Sequence, residues 1–590
     1  MGTTERCRVG LAIGTVQVCG QKKILRPYYY KDYAVSLLGS ALASRAGRAD
    51  TPGCFSGELL LRGMIKSDGP LRESLVVFVA VVAGYLLLRN SGLFLVGAFN
   101  DDGAYTLLGK SIADGNGYRL NYLPGNPVAV KYPPGLPALL AIPWALGGTL
   151  AAVRATVGIL NPLVCGVAAA LIWLIGRRHL ALSPGAIAVA ALGPLFLDTA
   201  IQYYNIPLSE PYFLLGWAAA VMIASTTDRF AGAVALGVVL AITSLFRSAG
   251  LVLIPACLAA LALRRVPWRV VALCAAVAIA PLVVWGIVHG QIIAEGPLSA
   301  SPDEVSYWTW IPFGATELPG YLLIVLWNNM RTYFHVLSGA LAGPAIVGHL
   351  LVAGTLAAAA VGAAWSWRRA PALALTTAAS LAVVLVWPFA QDRFLLPVIP
   401  FIGLLAAFGI EEGARRLPAR FRVGAPIVLA AVALVVGLRQ MDLRRAATAG
   451  FVSGQQPAAR DASIFFVLAV NSRHIAVLSD WVRTNTAPQD RLLVDFPAAT
   501  HMYSGRLTAP ASPSQSPYKP SVFEYPGRYL ARRILDDSVT VVAIGIQGPI
   551  VRDIETVTRT CPGVLQRVVQ SAEFYRVSRD EACLRRIAPP

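Results

Sequence analysis

Two adjacent carboxylates, Asp101 and Asp102, are followed about thirty residues later by Lys131, in the run Lys131-Tyr132-Pro133-Pro134-Gly135. A carboxylate takes a proton from, or orients, a hydroxyl acceptor, and an ammonium group holds an anionic leaving group. Tyr105 stands one helical turn beyond the acidic pair, and Tyr132 adjoins the lysine. Arg247, in Phe246-Arg247-Ser248-Ala249-Gly250, and Arg393, in Asp392-Arg393-Phe394-Leu395-Leu396-Pro397, add two guanidinium groups suited to a phosphate. Both lie at the edge of an apolar run, where charge is expensive and suggests function; snorkelling to the lipid head groups is the structural alternative. Glu210, in Ser209-Glu210-Pro211, either buffers those arginines or serves as a helix-start carboxylate. Taken alone, Asn100-Asp101-Asp102-Gly103 reads as a turn or a helix cap.

The elements that position these groups are membrane helices. Of the 590 residues 56% are hydrophobic and 14% charged, and the mean hydropathy is +0.59, a balance foreign to soluble globular domains. The net charge of +18 does not point to nucleic acid, because the basic residues punctuate apolar runs instead of forming one face. Arg177-Arg178, Arg264-Arg265, Arg368-Arg369 and Arg415-Arg416 each close such a run, as cytoplasmic loops do. Apolar stretches near 73–90, 154–176, 184–200, 208–225, 230–246, 249–263, 270–288, 344–365, 371–388, 394–410 and 424–439 predict about eleven spans. That odd number leaves the C-terminus outside.

The chain thus divides into an irregular extension over 1–63, with Met64 a plausible start, a transmembrane domain over 64–440, and a soluble extracytoplasmic α/β or α+β domain over 441–590. Two long outer loops, 89–153 and 289–343, carry the acidic pair with Lys131 and a set of aromatics: Tyr307, Trp308, Trp310, Phe313, Tyr321, Trp327, Tyr333 and Phe334. Those rings either anchor at the head groups or stack on sugars. Asp102 to Ile112 reads as a short amphipathic helix lying at the interface. In the last domain Arg491–Phe496 and Ser538–Gly545 read as strands, and Pro510, Pro513, Pro517 and Pro520 mark a loop. Cys165, Cys257 and Cys274 lie in apolar runs, whereas Cys561 and Cys583 fall in the domain read as outer, where disulfides persist, so a bridge between them is expected. The histidines, among them His289, His335, His349, His474 and His501, show no metal-binding spacing.

The ordered set Asp-Asp-Gly-Ala-Tyr, Gly115-Asn116-Gly117-Tyr118 and Lys131-Tyr-Pro-Pro-Gly resembles the first outer loop of GT-C superfamily glycosyltransferases, in the branch of protein O-mannosyltransferases and lipid A aminoarabinose transferases. The resemblance extends over most of 64–590 through the motifs at Glu210, Arg247 and Arg393, with Phe394 where the family has Tyr. It implies an inverting transfer of a sugar from a polyprenyl-phosphate donor to a hydroxyl on a glycan, lipid or protein, at the outer face of the cytoplasmic membrane. By the same resemblance Asp101 is the base and Asp102, where many relatives have Glu, its partner toward acceptor or metal; Tyr105, Lys131, Tyr132, Glu210, Arg247 and Arg393 bind substrate. It implies no cofactor, because the branch mostly works without metal; a divalent ion on the acidic pair is the alternative, although no further carboxylates cluster nearby. Two other readings compete: a transporter or flippase of a lipid-linked saccharide, whose ionisable groups would lie near the midplane, and a scaffold that presents the last domain to partners.

Overall fold

The structure is a computed structural model that describes residues 69–588 apart from 89–93, 296–316, 343–344, 389, 419–423, 454–463, 512–526, 545–549 and 570–572. The extension 1–63 lies outside the described residues, as do Tyr307, Trp308, Trp310, Phe313, Pro513, Pro517 and Pro520. The membrane half runs through α1 (Gly69–Leu88), α2 (Asp101–Ala113), α3 (Gly135–Gly147), α4 (Leu150–His179) and a kinked stretch, Pro184–Phe196, that bends by 59° into α5 (Asp198–Tyr204). It continues with α6 (Glu210–Thr226), α7 (Phe230–Phe246), α8 (Leu253–Leu263), α9 (Trp268–Glu295), α10 (Leu318–Ala342) and α11 (Ala345–Ser366). Then follow α12 (Pro371–Val386), the single turn α13 (Asp392–Leu395), α14 (Ile399–Arg416) and α15 (Gly424–Ser453).

Among the described residues α1, α4, α9 and α11 are long and apolar enough to cross a membrane alone, and the kinked stretch with α5 makes five if it counts as one span. Helices α3, α7, α12 and the stretch Ser248–Leu263 are apolar but shorter. The apolar runs therefore do not map one to one onto straight spans. The run at 184–200 breaks because a π turn at Ala188–Leu192 passes into a 3-10 turn carrying Pro194, and the run at 249–263 opens in a 3-10 turn at Ser248–Val252. Leu75, Val76, Val79 and Leu87 of α1 and Ile279, Val283, Val284 and Ile287 of α9 stay exposed, as lipid-facing side chains do. Neither long outer loop is loop throughout: α3 occupies 135–147 of the first and α10 occupies 318–342 of the second. Both were obscured by prolines, aromatics and polar residues that interrupt the hydropathy, such as Pro143 in α3 and Asn329 in α10.

The bundle has two distinguishable ends. Arg177 donates to the Leu182 carbonyl (2.7 Å), Ser183 to Glu411 (2.5 Å), Arg415 to the Ala181 carbonyl (3.2 Å) and Arg264 to the Thr227 carbonyl (3.1 Å), so the basic helix ends gather on one face. At the opposite face α6 and α14 begin and α7 and α12 end. Glu210, Arg247, Trp387 and Arg393 belong to that second face.

Beyond α16 (Ile464–Asn485) the chain forms β1 (Arg491–Val494), α17 (Pro497–Ser504), β2 (Leu507–Pro510), α18 (Arg528–Asp536), β3 (Val541–Ile544), α19 (Ile550–Thr560), β4 (Leu565–Val569), β5 (Glu573–Val577) and α20 (Glu581–Ile587). The sheet order is β2-β1-β3-β5-β4, parallel at β2-β1-β3 and antiparallel at β3-β5-β4. Strand β3, Val541-Val542-Ala543-Ile544, is buried at every position because both faces are covered. Leu478 and Val482 of α16 pack on one face, and Leu530, Ile534, Ile554 and Val557 on the other. A disulfide joins Cys561, just past α19, to Cys583 in α20.

Candidate functional site

The site begins in a reversed turn. Gly97 (φ 95°) and Asn100 (φ 78°) both adopt left-handed backbone, and α2 starts at the next residue, Asp101. Asp102 holds this turn shut: its Oδ2 accepts from the Gly97 amide (2.6 Å) and its Oδ1 from the Phe99 amide (3.1 Å), and the residue is fully buried. Burial pushes the Asp102 carboxyl up to about 7 against the pull of those amides. The helix that follows is buried from Ala104 to Gly109, so the amphipathic, interfacial reading of 102–112 is corrected. Its two glycines explain why: a Cβ at Gly103 would stand 3.1 Å from Ala498 of α17, and one at Gly109 2.9 Å from Leu140 of α3. Helix α2 is thus wedged between neighbours instead of resting on lipid.

Asp101 faces the other way, into a cavity lined by Tyr105, Lys131, Tyr132, Arg247, Arg393 and the apolar Phe213, Val384 and Trp387. Arg393 donates from Nη2 to Asp101 Oδ2 (2.5 Å), and the Tyr132 hydroxyl donates to Oδ1 (3.0 Å). Burial alone would raise the Asp101 carboxyl; Arg393, with Lys131 behind it, and these hydrogen bonds outweigh burial and hold it below the usual carboxylate range. Beneath the cavity the fully buried Glu210 binds Arg247 Nη1 through Oε1 (2.8 Å) and lies 3.6 Å from Arg393 Nη1. The guanidinium groups also stack: Arg247 on Phe394 at 5.1 Å, and Arg393 on Phe99 at 4.6 Å. Lys131 lies 5.6 Å from the Tyr132 ring centre, and Tyr105 meets the same ring edge-on at 5.0 Å.

The fold therefore brings Asp101, Tyr105, Lys131, Tyr132, Arg247 and Arg393 to one cavity, from positions as far apart as 101 and 393. It does not bring Asp102 or Glu210 to its wall. Asp102 is turned toward the backbone because α2 starts one residue earlier, and Glu210 is a counter-charge set behind two arginines. On the wall Lys131, Arg247 and Arg393 face one carboxylate, Asp101, with Glu210 and Asp392 set off the wall beside the arginines, in a cavity of about 80 Å³. By the roughly 10–15 Å³ that one water requires, this is room for several waters or one phosphate-sized head group.

Several supporting residues escaped the sequence reading. Gln391 accepts from Arg393 Nε (2.8 Å), and Tyr203 donates to Asp392 (3.1 Å), whose carboxyl burial pushes up. Polarity at a helix end was the only signal available for them. Among the described residues no three His, Cys, Asp or Glu side chains stand close enough to hold a metal ion. His474 lies 3.7 Å from Asp495, His501 Nδ1 donates to the Arg506 carbonyl (2.8 Å), and His335 meets His349 at 3.2 Å, all away from the cavity wall.

No protein-family model matches the chain, and no curated protein matches it. Among solved structures it is similar to the crystal structure of ArnT from Cupriavidus metallidurans bound to undecaprenyl phosphate. That match has 14% identity and a TM-score of 0.50, over 88% of this chain and 99% of that one. The apo state of ArnT from Cupriavidus metallidurans matches over the same shares at 14% identity and a TM-score of 0.47. At such identity the likeness speaks for the fold alone: an ArnT-like, mostly helical multi-pass membrane fold with a small sheet domain at its C-terminal end.

Proposed function

We propose that this chain is a glycosyltransferase that moves one sugar from a polyprenyl phosphate to a hydroxyl of a glycan, lipid or protein, at the outer face of the cytoplasmic membrane and with inversion. The observation that carries the reading is the Asp101–Arg393 pair in a cavity whose wall carries more cations than carboxylates and an apolar side. A base and a phosphate site share one space there. The related fold in complex with undecaprenyl phosphate supports a polyprenyl lipid as donor. In this mechanism Lys131, Arg247 and Arg393 bind the donor phosphate, the acceptor oxygen attacks the anomeric carbon, the sugar–phosphate bond breaks with its electron pair on the phosphate, and Asp101 receives the acceptor proton.

The placement of the sheet domain outside rests on two features. The site lies at the end opposite the paired arginines, which mark cytoplasmic loops, and the disulfide Cys561–Cys583 suits an oxidising compartment. No metal enters the mechanism, because both Asp101 oxygens are engaged by side chains and both Asp102 oxygens by backbone amides. Turnover lost to a chelator and restored by magnesium or manganese would refute that part.

The test is transfer from a radiolabelled polyprenyl-phosphate sugar by the reconstituted protein. Asp101→Asn is expected to lose at least about a hundredfold in turnover, the usual scale for a general base, while still binding donor. Lys131→Ala is expected to weaken donor binding. Unchanged transfer by Asp101→Asn rejects the assignment.

A further inference from the structure

At the opposite end of the bundle a second cleft opens between α11 and α12, with a volume of about 580 Å³. Its floor is Ala363 and Ala364 on one side and Ala374 and Ala378 on the other, and its mouth carries Trp365, Trp367, Arg368 and Arg416. It lies a helix length from Asp101: the 16 residues of α12 separate the two ends, roughly 24 Å at the helical rise. We propose that this cleft binds an anionic phospholipid of the cytoplasmic leaflet, its phosphate between Arg368 and Arg416 and one acyl chain along the alanines.

Charge argues for that occupant. Arg368, Arg369, Arg415 and Arg416 face Glu411 and Glu412, an excess of two positive charges at the membrane edge. Three of the four arginines already have structural duties. Arg415 pairs with both glutamates and donates to the Ala181 carbonyl, Arg369 lies 5.8 Å over Phe408, and Arg416 touches Glu412 at 3.4 Å in an exposed and therefore weak pair. Arg368 meets no carboxylate among the described residues and stays exposed on the cleft wall. Arg416 is held by stacking, 4.0 Å over Trp365, so its guanidinium is preset at the mouth. Trp367 is 43% exposed, as a tryptophan at head-group depth is. Alanines on both walls leave open a groove that larger side chains would fill. A negative head group with an apolar tail satisfies all of these features; a free anion uses only the mouth.

The experiment is native mass spectrometry of the full chain released from bilayers of phosphatidylcholine with a minority of phosphatidylglycerol, with a parallel thermal-shift titration. The titration compares short-chain phosphatidylglycerol, phosphatidylcholine of the same chain length, and glycerol phosphate. Wild type is expected to retain phosphatidylglycerol in preference to phosphatidylcholine and to be stabilised by it alone. Arg368→Ala and Arg416→Ala should each lower that preference about fivefold, the value of one basic residue at an anionic surface. Ala364→Phe, which keeps both arginines and fills the groove, should abolish retention and serves if the arginine variants fail to fold. Equal retention of the two lipids, stabilisation by glycerol phosphate as strong as by the lipid, or retention unaltered in Ala364→Phe overturns the proposal.

Discussion

An aspartate that a guanidinium holds ionised is a weak base, since the contact that lowers its pKa also lowers its affinity for a proton. Asp101 is in that condition in the free protein, latched to Arg393. In the proposed reaction a donor phosphate drawn to Arg393 would compete for the same guanidinium and bring negative charge near Asp101, and both effects would raise the carboxyl. On that proposal, base strength arrives with the donor. The expected signature is a split in pH dependence. The acid limb of kcat/KM, which reports the free protein, lies below the ordinary carboxylate range; the acid limb of kcat, which reports the donor complex, lies at higher pH. The sign follows from the lowered pKa: activity in kcat/KM is present above that value and is lost only as pH falls through it. Coincident limbs in steady-state kinetics on both parameters would reject the latch.

At the scale of elements, the turn Gly97–Asn100 and helix α2 decide where Asp101 points. Gly97 lies against α17, where a Cβ would stand 2.5 Å from the Ala499 Cβ and where φ is 95°. Gly97→Ala is therefore expected to cost at least about 1 kcal/mol in backbone strain and to depress transfer further by displacing the turn. Thermal unfolding and turnover measured together check it, and full activity in this variant would mean that the turn tolerates movement. The apolar runs that became α1, α4, α6, α7, α9 and α12 were legible, although α9 continues to Glu295, seven residues past its run, as was the acidic pair beside a membrane edge. Two features were not. That Asp102, expected as a partner of Asp101 toward substrate, is instead spent on backbone amides depends on which residue is first in α2, about 100° around the helix, which adjacent identical side chains conceal. Strands β2, β4 and β5 were missed because four or five residues such as Leu507-Thr508-Ala509-Pro510, or the largely exposed Leu565–Val569, carry little alternation of their own. They become strands through pairing with β1 and β3.

Taken whole, the molecule joins two unlike solvents through one seam. The Ser472 hydroxyl accepts from the Leu95 amide (2.9 Å), Asn471 donates to the Ala98 carbonyl (2.9 Å), and Thr508 donates from its amide (2.9 Å) and its hydroxyl (3.2 Å) to the Tyr122 carbonyl. The disulfide Cys561–Cys583, with a separation of 22 residues, braces α19 and α20 on the far side of that domain from the seam. Replacing both cysteines by serine should lower the stability of the sheet domain by about 3 kcal/mol while leaving transfer at moderate temperature intact. A differential scan with and without reductant checks the first half, and equal melting in both would remove the bridge from the account. Thr508 and Tyr122 are 386 positions apart, and that interval sets an order in time. The loop bearing Asp101 emerges early from the ribosome, but the strand that buttresses it is made near the end of synthesis and, on the proposed topology, would cross the membrane before it docks. On the proposed function and topology, a chain still being translated would carry an unfinished site, silent until its last domain had folded against the first.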